Sequence, residues 1–209
     1  MSKEIDFYFD FGSPTAYLAF TQLPLIAKRN NTQLNFHPIL LGGIFKITGN
    51  QPPGIIPAKG AYMSKDLPRF AKKYGVAFNH NPFFPINTLS LMRGATSYLI
   101  NGDFEKYLKI IFHSMWVDQK DTGNPEVLEN IFNENDLDYN DYLLRISDKE
   151  IKDKLISNTN KAADRGLFGA PTIFVGDEMF FGQDRLCLLY TSDAADEGLG
   201  VDLGGRRII

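Results

Sequence analysis

Thiol and imidazole side chains are scarce in this chain, and that scarcity narrows the chemistry it can do. There is a single cysteine, Cys187, and the three histidines, His37, His80 and His113, stand in unlike contexts whose spacing suggests no metal site. His37 ends a strand-like run and His113 sits in an aromatic helical stretch, so both read as structural. The most informative residue is Ser13. It follows the aromatic run Ile5-Asp6-Phe7-Tyr8-Phe9-Asp10-Phe11 and Gly12, and it precedes Pro14 and an apolar helical pattern. Serine is a favoured N-cap and proline a favoured first helical residue. A helix N-terminus carries about half a positive charge, which stabilises an anion and lowers the pKa of a thiol placed there. The Ser13 hydroxyl could donate a hydrogen bond to such a sulfur without being the nucleophile. No His–Asp pair adjoins it to activate its own oxygen. On this residue alone, a plain helix cap is the simpler account.

Three further segments can join Ser13 in a site. In Ala170-Pro171-Thr172, a cis bond before the proline would offer the Ala170 backbone to an extended peptide ligand; otherwise Pro171 only starts a strand. In Gly182-Gln183-Asp184-Arg185, Asp184 and nearby N–H groups could bind the ammonium and carboxylate of a γ-glutamyl end, or Asp184 could simply cap a helix. In Phe45-Lys46-Ile47-Thr48-Gly49-Asn50, Lys46 could pair with a carboxylate and Asn50 could bond a ligand, although a loop lysine is ordinarily just solvated. Phe83, Phe84 and Trp116 are candidate aromatic walls, each also a plausible core residue. Gly42-Gly43 is too little for a phosphate loop.

The elements that must position these residues follow from pattern. Ile5 to Phe11 reads as a buried strand, and the helix opened by Ser13 runs to about Lys28, with Tyr17, Leu18, Leu25 and Ile26 toward the core and Asn30-Asn31 ending it. Gln33 to Pro38 gives a second strand, parallel to the first because the crossover is helical. Gly42 to Pro57 reads as a Gly/Pro-rich loop with a helical turn at most. Helical patterns cover Ala61–Tyr74, Thr88–Asn101, Asp103–Val117, Pro125–Asn135 and Asp138–Ile146, with a Pro-punctuated loop from Asn79 to Asn87. A long helix from Ser147, as N-cap, to Arg165 leads into a hairpin, Ile173-Phe174-Val175 and Met179-Phe180-Phe181 about Gly176-Asp177-Glu178. Gly182 to Arg185 should open a final helix.

The chain has 209 residues, a formal net charge of −3, and 44% hydrophobic and 22% charged residues, which suits one domain carrying a large insertion and argues against a nucleic-acid partner. One cysteine cannot form an intrachain disulfide, which fits a reducing compartment, most simply the cytoplasm. No signal peptide and no membrane span of roughly 20 apolar residues is expected. The end departs from the rest: Gly198 to Gly205 has four glycines in eight positions, and Tyr190 to Ile209 resembles a translated sequencing-adapter read-through. Cys187 borders that segment and carries no argument.

The order β-α-β, helical insertion, α, β-β, α is similar to the thioredoxin superfamily, whose Cys-x-x-Cys positions read here Ser13 and Ala16. If thiol chemistry persists, the sulfur must arrive on a ligand. Asp6-Phe7-Tyr8-Phe9-Asp10-Phe11-x-Ser13-Pro14, Leu41-Gly42-Gly43-x-Phe45-Lys46, Gly49-Asn50, Phe168-Gly169-Ala170-Pro171-Thr172 and Gly176 to Leu186 together resemble the 2-hydroxychromene-2-carboxylate isomerases and kappa-class glutathione transferases over about residues 4 to 187. The resemblance implies an α/β, DsbA-like thioredoxin fold with a helical insertion. Its domains would be 1–40 with 147–189, an insertion at 41–146, and a suspect tail at 190–209. It also implies a homodimer, with glutathione as cofactor and no metal. Ser13 would be catalytic, and Ser13, Lys46, Asn50, Ala170, Pro171, Phe181, Gly182, Gln183 and Asp184 would contact glutathione. Lys46, Phe84 and Trp116 would contact a small aromatic pyruvate. The implied reaction is a cis–trans isomerisation by reversible thiolate addition to an activated C=C. A conjugating transferase and a non-catalytic peptide-binding or chaperone module are the rival readings. A thiol–disulfide oxidoreductase is disfavoured by Ser13 and Ala16.

Overall fold

The structure is a computed structural model that describes residues 4–190. The suspect tail, but for its first residue, lies outside them. Strand β1 (Ile5–Phe9), helix α1 (Pro14–Arg29) and strand β2 (Leu34–Pro38) form the opening unit. β1 and β2 are parallel with Ile5 opposite Leu34. β3 (Thr172–Val175) pairs antiparallel with β1, Tyr8 opposite Thr172, and β4 (Glu178–Phe181) completes the hairpin. The sheet order is β2-β1-β3-β4. Between β2 and β3 run α2 (Leu41–Thr48), a 3-10 turn at Pro53–Ile55, α3 (Pro57–Tyr74), α4 (Leu89–Asn101), α5 (Phe104–Trp116), α6 (Pro125–Glu134), α7 (Tyr139–Ser147) and α8 (Lys149–Asp164).

Phe7, Tyr8 and Phe9 run consecutively in β1 because both of its faces are covered. Successive strand residues point to opposite faces. Ile5, Phe7 and Phe9, with Phe11 beyond, enter the larger core beneath α1, α4 and α5. Tyr8 enters a smaller core with Phe174, Ile44 of α2 and Ala162 of α8. Phe11, Phe112 and Tyr107 meet edge to face, with ring centroids 4.8 Å and 5.9 Å from Phe11. Each such buried ring contributes about 1.5–3 kcal/mol. The solvent side of the smaller core closes with Arg165, which donates to Asp6 at 2.7 Å, to Tyr8 Oη at 3.0 Å and to the Gly176 carbonyl at 2.8 Å. His37 lies 3.0 Å from Asp6 and stacks on Tyr8, and His113 lies 3.4 Å from Asp118.

Four local expectations are corrected. Leu41 to Thr48 is a helix rather than loop, because Ile44 is wholly buried in the smaller core and that packing outweighs the helix cost of Gly42 and Gly43. Leu25 is exposed, while Tyr17, Leu18 and Ile26 are buried as expected. The cap of α8 is Asp148, whose carboxylate accepts from Glu150 N–H at 2.8 Å; Ser147 instead closes α7, donating to the Leu144 carbonyl. The last element, Gln183–Tyr190, is a 3-10 helix. Among the described residues no helix is long and apolar enough to cross a membrane, and no three His, Cys, Asp or Glu side chains are grouped to hold a metal.

Candidate active site

The site forms where β1 turns into α1. Ser13 is extended, with φ −104° and ψ 110°, and its Oγ accepts from the Ala16 N–H at 3.1 Å, the usual geometry of an N-cap. Pro14 follows at the first helical position, where its missing N–H costs nothing. The turn is held from behind by Asp10, only 1% exposed. Its Oδ1 accepts from Gly12 N–H at 2.9 Å and from the Thr88 hydroxyl at 2.7 Å, and its Oδ2 accepts from Leu41 N–H at 2.8 Å. One carboxylate thus ties the Ser13 turn to the starts of α2 and α4. Burial pushes its pKa up, and the Leu41, Gly12 and Thr88 donors offset only part of that.

The Ser13 hydroxyl donates to the Ala170 carbonyl at 2.9 Å and lies 2.9 Å from the Thr15 hydroxyl, which is itself 3.4 Å from the same carbonyl. The Ala170–Pro171 bond is cis, as is Phe84–Pro85. Beyond Pro171, Gly182 donates its N–H to the Pro171 carbonyl at 3.0 Å. Gly182 has φ +96°, and a Cβ there would fall 2.6 Å from Asp184 Oδ1. Only glycine therefore lets the chain turn back beneath Asp184. Tyr74 of α3 donates to the Gln183 carbonyl at 2.6 Å, and Asn50 donates to the Phe168 carbonyl at 2.9 Å, so the loops on either side of the proline are pinned. The Asp184 carboxylate pairs with Arg185 at 3.0 Å.

These residues border one cleft of about 570 Å³. Ser13, Asn50, Ala170, Phe181, Gly182, Gln183, Asp184, Phe84 and Trp116 all line it. Phe84 is half exposed; Trp116 is buried beneath, its Nε1–H donating to the Phe11 carbonyl at 2.8 Å. Three of the sequence candidates stand elsewhere. Lys46 lines a neighbouring groove between α2, α4 and α8 with Arg93 and Lys152. Pro171 is buried and Phe83 is half exposed, and neither lines the cleft. Cys187 is exposed, and no cysteine lines the cleft among the described residues. Sequence reasoning missed Asp10, whose signal was an acid closing an apolar strand. It also missed Thr15 and His80, which line the cleft.

Three facts fit this cleft to a thiol-bearing peptide such as glutathione. A helix N-terminus and a hydroxyl meet at its floor, a strand entrance lies beside them, and a carboxylate stands at the rim.

The family model for the DSBA-like thioredoxin domain matches residues 4–191. A 2-hydroxychromene-2-carboxylate isomerase of Sphingobium xenophagum is 31% identical over 193 residues, covering 90% of this chain and 97% of that one. Glutathione S-transferase kappa 1 of Caenorhabditis elegans is 31% identical over 204 residues, covering 88% of each. A solved 2-hydroxychromene-2-carboxylate isomerase superposes with a TM-score of 0.79 at 25% identity, covering 91% of this chain and 94% of that one.

Proposed function

The chain belongs to the DSBA-like thioredoxin domain family, among the 2-hydroxychromene-2-carboxylate isomerases and kappa-class glutathione transferases, and from that premise we propose that it is a glutathione-dependent cis–trans isomerase of an aromatic pyruvate-like alkene. One observation carries the reading. A serine hydroxyl caps α1 beside Ala170, in a cleft whose described lining contains no cysteine, so the sulfur must come with a ligand. When bound, glutathione supplies a thiolate that adds reversibly to an activated C=C.

The protein's own residues prepare for that charge. The N–H groups at the start of α1 and the Ser13 hydroxyl stabilise an anionic sulfur at the floor. Asp10 fixes the turn that aims them. Asp184 takes the γ-glutamyl ammonium, Asn50 and the Phe181 to Gln183 backbone orient the peptide, and Phe84, backed by the buried Trp116, forms the wall for the aromatic ring. In this reading residues 1–40 and 147–189 form the thioredoxin-like part and 41–146 the helical insertion that supplies the wall. The protein works as a homodimer in a reducing, cytoplasmic setting. Light scattering should then give about twice 23.6 kDa, and a fully active monomer would remove the dimer.

The kappa-type relative supports a second reading, conjugation of glutathione at the same site. The test is to titrate glutathione by calorimetry and then follow a benzylidenepyruvate by absorbance and mass spectrometry. Isomerised substrate with free glutathione supports the isomerase, and an accumulating conjugate supports the transferase. Absence of glutathione binding sinks both and leaves the peptide-binding module.

A further inference from the structure

His80 lies on the cleft in the segment joining α3 to α4. Its backbone is clamped to the end of α5. Asn79 donates its N–H to the Trp116 carbonyl and its side-chain amide to the Val117 carbonyl, both at 2.7 Å. The Asn81 amide donates to the carbonyls of Met115 and Lys120 at 2.9 Å, and the His80 carbonyl accepts from Gln119 Nε2 at 2.7 Å. The imidazole is left exposed at the cleft, its ring meeting Phe78 edge-on at 5.5 Å, and Phe78 in turn stacks on Trp116 at 6.0 Å. Its ring nitrogens make no hydrogen bond to the described residues.

The wall made by α3, residues 78–84 and α5 otherwise offers a ligand only carbon and sulfur from its side chains. Met63, Leu67 and Phe84 carry no N–H or O–H, and Trp116 has spent its own on Phe11. Arg185, the cation elsewhere on the cleft, is held by Asp184. An imidazole keeps at least one N–H donor in either charge state. An aromatic keto acid laid against this wall must bring its carbonyl and carboxylate oxygens with it, and burying them unpaired would cost binding.

Resting on the isomerase reading above, we infer that His80 is the polar anchor of the substrate: it donates a hydrogen bond to the keto-acid end of an aryl-substituted α-keto acid whose ring lies against Phe84. This makes His80 a specificity-determining residue on the insertion, distinct from the residues that hold the thiol.

The test uses phenylpyruvate, an aryl α-keto acid without the reactive C=C, titrated by calorimetry into wild type, His80→Phe and His80→Gln, with glutathione titrated separately. Phenylpyruvate affinity should fall at least tenfold in His80→Phe and less than about threefold in His80→Gln, which keeps an N–H donor. Glutathione affinity should change less than twofold in both. Equal phenylpyruvate affinity in all three proteins, or no binding to wild type, overturns the inference. A wild type that binds phenylpyruvate through His80 but neither binds glutathione nor isomerises a benzylidenepyruvate would overturn the proposed function instead, so the two failures separate.

Discussion

The Ser13 hydroxyl and the Ala170 carbonyl, 157 residues apart in sequence, share a hydrogen bond of 2.9 Å across the floor of the cleft. A hydroxyl has one proton to give. For Ser13 to donate to a ligand sulfur, that proton must leave Ala170. Thr15, 3.4 Å from the same carbonyl, is placed to take over the vacated acceptor. The serine can therefore turn toward a thiolate without leaving a buried carbonyl unpaired, which would cost about 1–3 kcal/mol.

Asp184→Asn should weaken glutathione binding by about 1–3 kcal/mol, because a charge-assisted hydrogen bond to the γ-glutamyl ammonium becomes a neutral one. Calorimetry checks this. Unchanged affinity would leave Asp184 with its Arg185 pairing alone.

Gly182→Ala tests the same corner from the backbone. Its φ of +96° disfavours any side chain, and the new Cβ would displace the Asp184 carboxylate from 2.6 Å. Stability should fall by about 1–3 kcal/mol, and glutathione affinity should fall although Asp184 is intact. Combined with Asp184→Asn, the losses in affinity should be less than additive. Full additivity would show that Gly182 acts on binding by another route.

Asp10→Asn should destabilise the fold by about 1–3 kcal/mol, since the amide must turn its NH2 toward either the Gly12 or the Leu41 N–H, where the acid in either charge state presents an oxygen. The pH dependence has a definite sign. Burial raises the Asp10 pKa above 3.8, so over the interval above that value the native state holds more protons than the unfolded one. Its contribution to stability is then greatest in acid and declines as pH rises through the folded pKa. The advantage of wild type over Asp10→Asn, read from urea unfolding between pH 4 and pH 8, should shrink as pH rises. A widening gap would contradict the assignment.

What could be read in the sequence was what local spacing determines. Ser13-Pro14 announces a helix start within two residues, and the alternation that buries both faces of β1 is visible in Phe7-Tyr8-Phe9. Lys46 shows the limit. Adjacent helix residues diverge by about 100°, so Phe45 lines the cleft while Lys46 lines the next groove. Without knowing that Leu41–Thr48 is helical, the two cannot be told apart. Asp10 was illegible as a hub because Leu41 and Thr88 reach it from 31 and 78 residues away. His80 was illegible because its place depends on side-chain amides, Asn79, Asn81 and Gln119, that clamp an otherwise unremarkable loop.

The central claim is that Ser13 holds a ligand thiolate at the start of α1, and the most direct measurement is the thiolate absorbance of bound glutathione against pH in wild type and Ser13→Ala. The alanine keeps the helix dipole but removes the donor. The bound thiol should titrate at higher pH in the variant and isomerase turnover should fall, while folding stability drops by only about 1 kcal/mol from the lost cap. Coincident titration curves with turnover at the wild-type rate would show that Ser13 is a helix cap and nothing more.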